Sequence, residues 1–355
     1  MSRADRVAAR LGEKDADLLL VSNLINVLYL TGFTGTNALA IVGPDTRRFL
    51  TDFRYVERAK AEVSGFDLER APQDFTGALS EGWPAGELRL GFEDQHVSVR
   101  QHARLREVLP DRVELVPAGG LVEAERAVKE PAELDAIRAA AALTDEIYEW
   151  LAQAGLVGRT EREVALALEH QMRLLGAQDP SFPSIVASGE QGALPHAEPR
   201  DVEISPGVLV TLDIGARMDG YCSDCTRTWA TGEVSGELEE IHALVLRAQL
   251  AALEAVEPGR AGREVDAVAR DLIAAEGHGE HFGHGLGHGV GLEIHEAPRL
   301  AGRATDPLAA SNVVTVEPGV YVPGLGGVRI EDLVFVGAQG TEIVSTTTKG
   351  LRVVG

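Results

Sequence analysis

One short stretch of this chain occurs twice. Residues 158–164 read G-R-T-E-R-E-V and residues 259–265 read G-R-A-G-R-E-V, agreeing at five of seven positions 101 residues apart. Each copy follows an apolar-periodic segment of helix length, about 132–154 and 236–256, and opens a second one. In the first copy Thr160 stands three residues before Glu163, the capping-box spacing of a helix start. Each helix pair is followed by two strand-like runs about a turn. The first spans about 209–229 around Asp219-Gly220, and the second about 313–335 around P-G-L-G-G. Helix, helix and hairpin, kept in that order twice, predict a duplicated unit whose halves build one structure together.

The hairpins carry acids where acids are unfavourable. Asp213 lies in T-L-D-I-G, Asp224 in Y-C-S-D-C-T-R-T, Glu317 in V-E-P-G-V-Y and Glu331 in G-G-V-R-I-E-D. Their spacing about the two turns predicts that Asp213 faces Asp224 across one hairpin and Glu317 faces Glu331 across the other. Buried carboxylates need a compensating positive charge, and the nearby sequence supplies little of it. Two divalent cations would, which makes the four acids a candidate dinuclear cradle. Such a pair generates a nucleophile from water near neutral pH and stabilises the oxyanion formed on a carbonyl. His288, in G-H-G-L-G-H-G-V-G, adds one imidazole to this donor set, which suits manganese, cobalt or zinc better than copper or an iron–sulfur cluster.

Glycine at 283, 285, 287, 289 and 291 excludes a regular helix there. His284 and His288 are therefore not a helical pair, and the glycines are expected to bring backbone close to metal or substrate. No register of this segment fits G-x-G-x-x-G, and Arg299 breaks the H-E-x-x-H pattern that His295 would begin. Arg329, two residues before Glu331, shares its sheet face and is expected to orient that carboxylate or touch substrate. His281 is expected to be exposed or structural.

The first 120 residues read as a separate α/β unit, with strands at 18–21, 38–42 and 88–92 and helices at 6–12 and 55–63. P-A-G-G at 117–120 marks its edge, giving expected domains 1–120 and 121–355. Pro131 then suits the first turn of the long helix. A net charge of -22 disfavours nucleic acid and anionic membrane as partners. No apolar run approaches the ~20 residues of a membrane span. The two cysteines, Cys222 and Cys225, have no second pair to complete a zinc knuckle, and a reducing cytoplasm is the expected location.

Together, D-I-G, Y-C-S-D-C-T-R-T, H-G-L-G-H-G-V-G-L-E-I-H-E, V-E-P-G-V-Y and G-V-R-I-E-D, in that order, resemble the Xaa-Pro peptidases of the pita-bread metallopeptidase family. N-V-L-Y-L-T-G-F and T-D-F-R-Y resemble the family's first domain. The resemblance spans nearly the whole chain. It implies an α+β protein, a creatinase-like α/β N-terminal domain followed by a pita-bread catalytic domain. It implies that Asp213 binds one metal ion, that His288 and Glu317 bind the other, and that Asp224 and Glu331 bridge them. His196 would lie near the substrate carbonyl and leaving group. His284 and His295 would bind substrate and tetrahedral intermediate, and Glu317 would handle the proton of the attacking water. The implied reaction is hydrolysis of the bond between an N-terminal residue and proline in small peptides, by a homodimer using two ions, manganese before cobalt or zinc. Arg303, or Arg299 in its place, would hold a free proline carboxylate and make the enzyme a dipeptidase. An Xaa-Pro aminopeptidase acting on longer peptides is the alternative. A methionine aminopeptidase usually lacks such a first domain, and a creatinase lacks the ligands. A non-catalytic peptide-binding module would show substituted ligands, and none is substituted.

Overall fold

A computed structural model describes every residue except Gln339. The chain forms two compact units, Met1–Arg126 and Ala127–Gly355.

The first unit is built on a six-stranded sheet. Its strands lie side by side in the order Asp67–Arg70, Arg47–Thr51, Ala38–Val42, Leu18–Val21, Leu88–Phe92, Val113–Pro117. The centre is apolar because L-L-L-V and A-L-A-I-V pair antiparallel there, with Leu18, Leu20, Ile41, Leu50 and Leu90 in one buried cluster. Residues 24–31 could pass for another strand by composition. They form the helix Leu24–Thr31 because Asn23 caps its start through Ile25 N and Gly32, at φ 79°, ends it.

The second unit holds the duplication. Pro131–Ala154 pairs with Glu161–Leu174, and Gly236–Glu254 pairs with Gly262–Ala275. Thr160 and Glu163 close a full capping box at the first repeat. Alanine at the matching position 261 leaves only half of it, Ala261 N donating to Glu264 Oε2 at 3.0 Å. Behind the first pair lies a sheet of Ile185–Ser188, Leu209–Ile214 and Cys225–Ala230. Behind the second lies one of Glu296–Leu300, Gly287–Gly289, Val313–Val316, Asp332–Gly337 and Gly340–Ile343. The two halves repeat one packing rule. Val210, Leu212 and Ile214 join Ile147, Leu151, Val164 and Leu168 in one core, while Val314, Val316 and Val334 join Val245, Ala248, Val265 and Ile273 in the other. Strand side chains alternate faces, so the odd positions, Thr211 and Asp213 or Thr315 and Glu317, are turned away from the helices.

The register corrects one expectation. In the second hairpin Val316 pairs with Asp332 and Gly319 with Arg329, so Glu317 stands opposite Glu331 as expected. In the first, Asp213 pairs with Thr226, not Asp224. Met218 pairs with Tyr221, so the turn is only Asp219-Gly220, at φ 49° and 85°, the left-handed pair a two-residue hairpin requires. Asp213 is then two residues farther from the turn than Asp224. They remain on one face, but as diagonal neighbours.

The glycine run also has a packing role. A Cβ at Gly287 would fall onto the Thr315 carbonyl, and one at Gly289 onto the Ala297 carbonyl. These glycines let the His288 strand fit between its two neighbours in the sheet, while Gly285 and Gly287 also line the cavity beside His284 and His288. Among the described residues no helix is long and apolar enough to cross a membrane.

Candidate metal centre

The cavity-side faces of both hairpins open on one cavity of about 490 Å³. Asp213, Asp224, His288, Glu317 and Glu331 all line it, as do His196, His284, His295, Arg299 and Arg329. Arg303 does not. It is exposed in the turn after the strand Glu296–Leu300. Arg299 reaches the cavity because it is the cross-strand partner of His288, and partners point to the same face. The alternative cation, not the preferred one, is thus the one at the site. His281 is half-buried and faces His278 at 3.0 Å, away from this set.

Asp224, His288 and Glu331 present ligand atoms within 4.8 Å of one another. His288 Nε2 lies 3.2 Å from Glu317 Oε1 and 3.6 Å from Asp224 Oδ2. Its Nδ1 faces the Gly289 carbonyl at 3.1 Å, which fixes the ring and leaves Nε2 toward the acids. The ring of His295 packs edge-on against His288 at 4.3 Å.

Two hydroxyls and one guanidinium hold the acids in place. Thr226 Oγ1 donates to Glu331 Oε2 at 2.7 Å, and Thr315 Oγ1 donates to Glu317 Oε1 at 3.0 Å. Arg329 Nη2 pairs with Asp213 Oδ2 at 2.6 Å, its Nε donates to Thr226 Oγ1 at 3.0 Å, and its Nη1 donates to the Tyr321 hydroxyl at 2.9 Å. That hydroxyl also meets His284 Nε2 at 2.9 Å. Tyr321, Thr226 and Thr315 carry no sequence signal of their own beyond standing two or four residues from an acid, which places them on the same face.

Four carboxylates therefore crowd around one buried guanidinium, that of Arg329, which pairs with Asp213 alone. Burial first, and then the charges of neighbouring acids, push Asp224 and Glu331 well above the usual carboxylate range. Burial also raises Asp213, against the opposing pull of Arg329. Glu317 goes the other way. Burial pushes it up, but the hydrogen bond and charge of His288 outweigh that and hold it at about 2. Two further atoms show what the arrangement lacks. Asp213 Oδ1 and Glu331 Oε1 are buried without a hydrogen-bond partner, while the second oxygen of each is satisfied. Lone carboxylate oxygens turned into an acid-rich pocket fit cations, because unpaired buried acceptors and unbalanced negative charge are both costly. Oxygen donors with one imidazole match divalent ions of the manganese-to-zinc range.

Comparison with known proteins agrees with this picture. Residues 135–338 match the model of metallopeptidase family M24, and residues 3–128 match the creatinase/prolidase N-terminal domain. The chain is 41% identical to the uncharacterized peptidase YqhT of Bacillus subtilis (strain 168), with 96% of each chain covered. The solved structure of an Xaa-Pro dipeptidase from Bacillus anthracis superposes with a TM-score of 0.94 at 38% identity, covering 99% of both chains. That of an X-Pro aminopeptidase from Thermotoga maritima MSB8 gives 0.88 at 34% identity, covering 99% of this chain and 100% of the other. With a duplicated helix-helix-hairpin unit that follows a creatinase/prolidase N-terminal domain in sequence, the chain belongs to metallopeptidase family M24.

Proposed function

We propose that this protein is an Xaa-Pro dipeptidase, hydrolysing the bond between an N-terminal residue and a C-terminal proline. Asp213, Asp224, His288, Glu317 and Glu331 would hold two divalent ions, manganese in the first instance, with Asp224 and Glu331 reaching both. When bound, the ions supply an activated water and polarise the scissile carbonyl. With His288 Nε2 engaged by an ion instead, Glu317, whose Oε1 accepts from the Thr315 hydroxyl, would take up the proton of the attacking water. The leaving nitrogen of proline must gain a proton, and His196, on the cavity wall, is the side chain assigned to deliver it. His284 and His295 orient the substrate carbonyl, His284 being steadied by Tyr321. A prolyl amide has no N–H to offer. Phe182, Ile185 and Ile294 instead give its ring an apolar wall.

One observation favours the dipeptidase. Arg299 lines the cavity on the His288 face and has no side-chain hydrogen bond or ion pair among the described residues. Arg329, the other arginine there, is committed to Asp213. A cation without a partner beside the reacting centre suits a free proline carboxylate. The likeness to a Bacillus anthracis protein described as an Xaa-Pro dipeptidase points the same way. An Xaa-Pro aminopeptidase is the second reading, supported by the Thermotoga maritima likeness. A homodimer in a reducing cytoplasm completes the proposal, in keeping with two buried free thiols, Cys222 and Cys225. The deciding assay compares Ala-Pro with Ala-Pro-Ala in manganese, cobalt and zinc. The dipeptide should be cleaved far more efficiently, and equal kcat/KM on the tripeptide would establish the aminopeptidase instead.

A further inference from the structure

Arg227 lies one residue beyond Thr226 on the strand Cys225–Ala230, and therefore on the face turned away from the cavity. It is 1% exposed. An arginine has five N–H donors, and every nitrogen of this one is engaged. Nε donates to the carbonyls of Thr347 and Thr348, each at 3.1 Å. Nη1 donates to the carbonyls of Thr226, at 2.9 Å, and of Glu331. Nη2 donates to Asp332 Oδ1 at 2.8 Å and to the Thr347 carbonyl at 2.7 Å. The other oxygen of Asp332 accepts from Gln249 at 2.8 Å and from Lys349 at 2.5 Å.

The guanidinium thus sits on the seam between the two halves. Thr226 belongs to the sheet of the first half, and Glu331 leads into the strand Asp332–Gly337 of the second. The backbones meet there, Glu331 N donating to the Thr226 carbonyl at 3.1 Å. The same two residues meet again in the cavity, where the Thr226 hydroxyl holds the Glu331 carboxylate. Thr226 also accepts from Arg329, which grips Asp213. Arg227 therefore clamps from behind the two residues that join the acid pairs in front.

We propose that Arg227, with Asp332 as its counter-charge, is a positioning residue that sets the separation between the acid pair of one half and that of the other. The inference rests on the reading of those acids and His288 as ligands of divalent ions. Metal sites tolerate only a few tenths of an ångström in ligand distance, so a shift of the seam weakens ion binding even where the fold survives. Lysine presents its donors from a single point and cannot span four carbonyls and a carboxylate. A buried ion pair that merely stabilised the fold would lower stability without altering ion affinity.

The test measures Mn²⁺ binding by titration of chelator-treated protein, alongside thermal unfolding of the same metal-free samples. The variants are Arg227→Met and Arg227→Lys, with Ile273→Ala, in the core behind the second helix pair, as a destabilised control. Arg227→Met should bind Mn²⁺ at least tenfold more weakly and Arg227→Lys at least threefold, while the control keeps wild-type affinity at a lower Tm. Wild-type affinity in both Arg227 variants overturns the inference. So does a control whose affinity falls in step with its stability. Should Arg227→Met fail to fold, Arg227→Lys decides by its own threshold. A wild-type chain that binds no Mn²⁺ would overturn the ion-ligand reading itself, and this inference with it.

Discussion

Replacing Asp224 by Asn separates the demands of the metal centre from those of the fold. Asp224 is 5% exposed, and its ligand atom lies within 4.8 Å of one on Glu331. Two unit charges at that distance repel by roughly 3 kcal/mol at an effective dielectric constant of about 20. Because burial and the neighbouring acids push both groups well above the usual carboxylate range, proton uptake relieves part of that repulsion. Metal-free Asp224→Asn should therefore be more stable than wild type by about 1–2 kcal/mol, raising the Tm of the C-terminal unit by about 3–6 °C. Divalent ions should reverse the order. An ion present at about a hundred times its Kd stabilises wild type by about 2.7 kcal/mol, whereas the variant, short of one ligand charge, should gain little. Activity should fall at least about 10²–10³-fold, the scale on which a lost electrostatic stabiliser is felt. Differential scanning calorimetry with and without Mn²⁺, beside hydrolysis of Ala-Pro, measures all of this. A metal-free variant less stable than wild type, or one still stabilised fully by Mn²⁺, would refute the reasoning.

Further consequences can be checked on the same protein. Tyr321→Phe removes the hydroxyl that joins His284 to Arg329 at 2.9 Å on each side. It should lower kcat by about 10–100-fold, on the scale of losing a metal site's supporting hydrogen bonds, and an unchanged kcat would leave the bridge without a role. Arg299→Met should raise KM for Ala-Pro and narrow the preference over Ala-Pro-Ala, whereas unchanged discrimination would remove Arg299 from carboxylate binding. His242 is buried on the helix Gly236–Glu254, with Nε2 unpartnered, and burial lowers its pKa from 6.5 to about 4. Above pH 6.5 it is neutral in both states and contributes no pH dependence. Below that, the unfolded chain takes up a proton that the folded one does not, and stability falls by about 1.4 kcal/mol per pH unit down to about pH 4. Urea unfolding at pH 5 and 7.5 should show His242→Leu losing about 2 kcal/mol less than wild type between those values. An equal loss in both proteins would contradict the assignment.

What the chain disclosed before its structure follows from which signals are local. The repeat at 158–164 and 259–265 announced two helix pairs, and both appear in order. Equal spacing of Glu317 and Glu331 about Gly324 placed them opposite each other because the outer register continues unbroken across the Gly319–Arg329 ladder. The register of the first hairpin lies two residues from the spacing argument, since it depends on how tightly Asp219-Gly220 turns. Arg303 stands before Arg299 by resemblance alone, and E-A-P-R-L, with a proline and two charges, does not read as a strand that would bring Arg299 forward. Without that strand its pairing with His288 could not be seen. Thr226, Thr315 and Tyr321 looked like ordinary strand residues, for a hydroxyl shows no purpose until its partner's position is known. Arg227 is hidden for the same reason, its partners other than the Thr226 carbonyl lying more than a hundred residues away.

The account turns on two ions held among five side chains. Diffraction from crystals grown with Mn²⁺, collected at a wavelength where manganese scatters anomalously, tests it most directly. Two anomalous peaks about 3.5–4 Å apart, both within reach of Asp224 and Glu331, are the expected result. A single peak, or peaks lying away from these side chains, would contradict it.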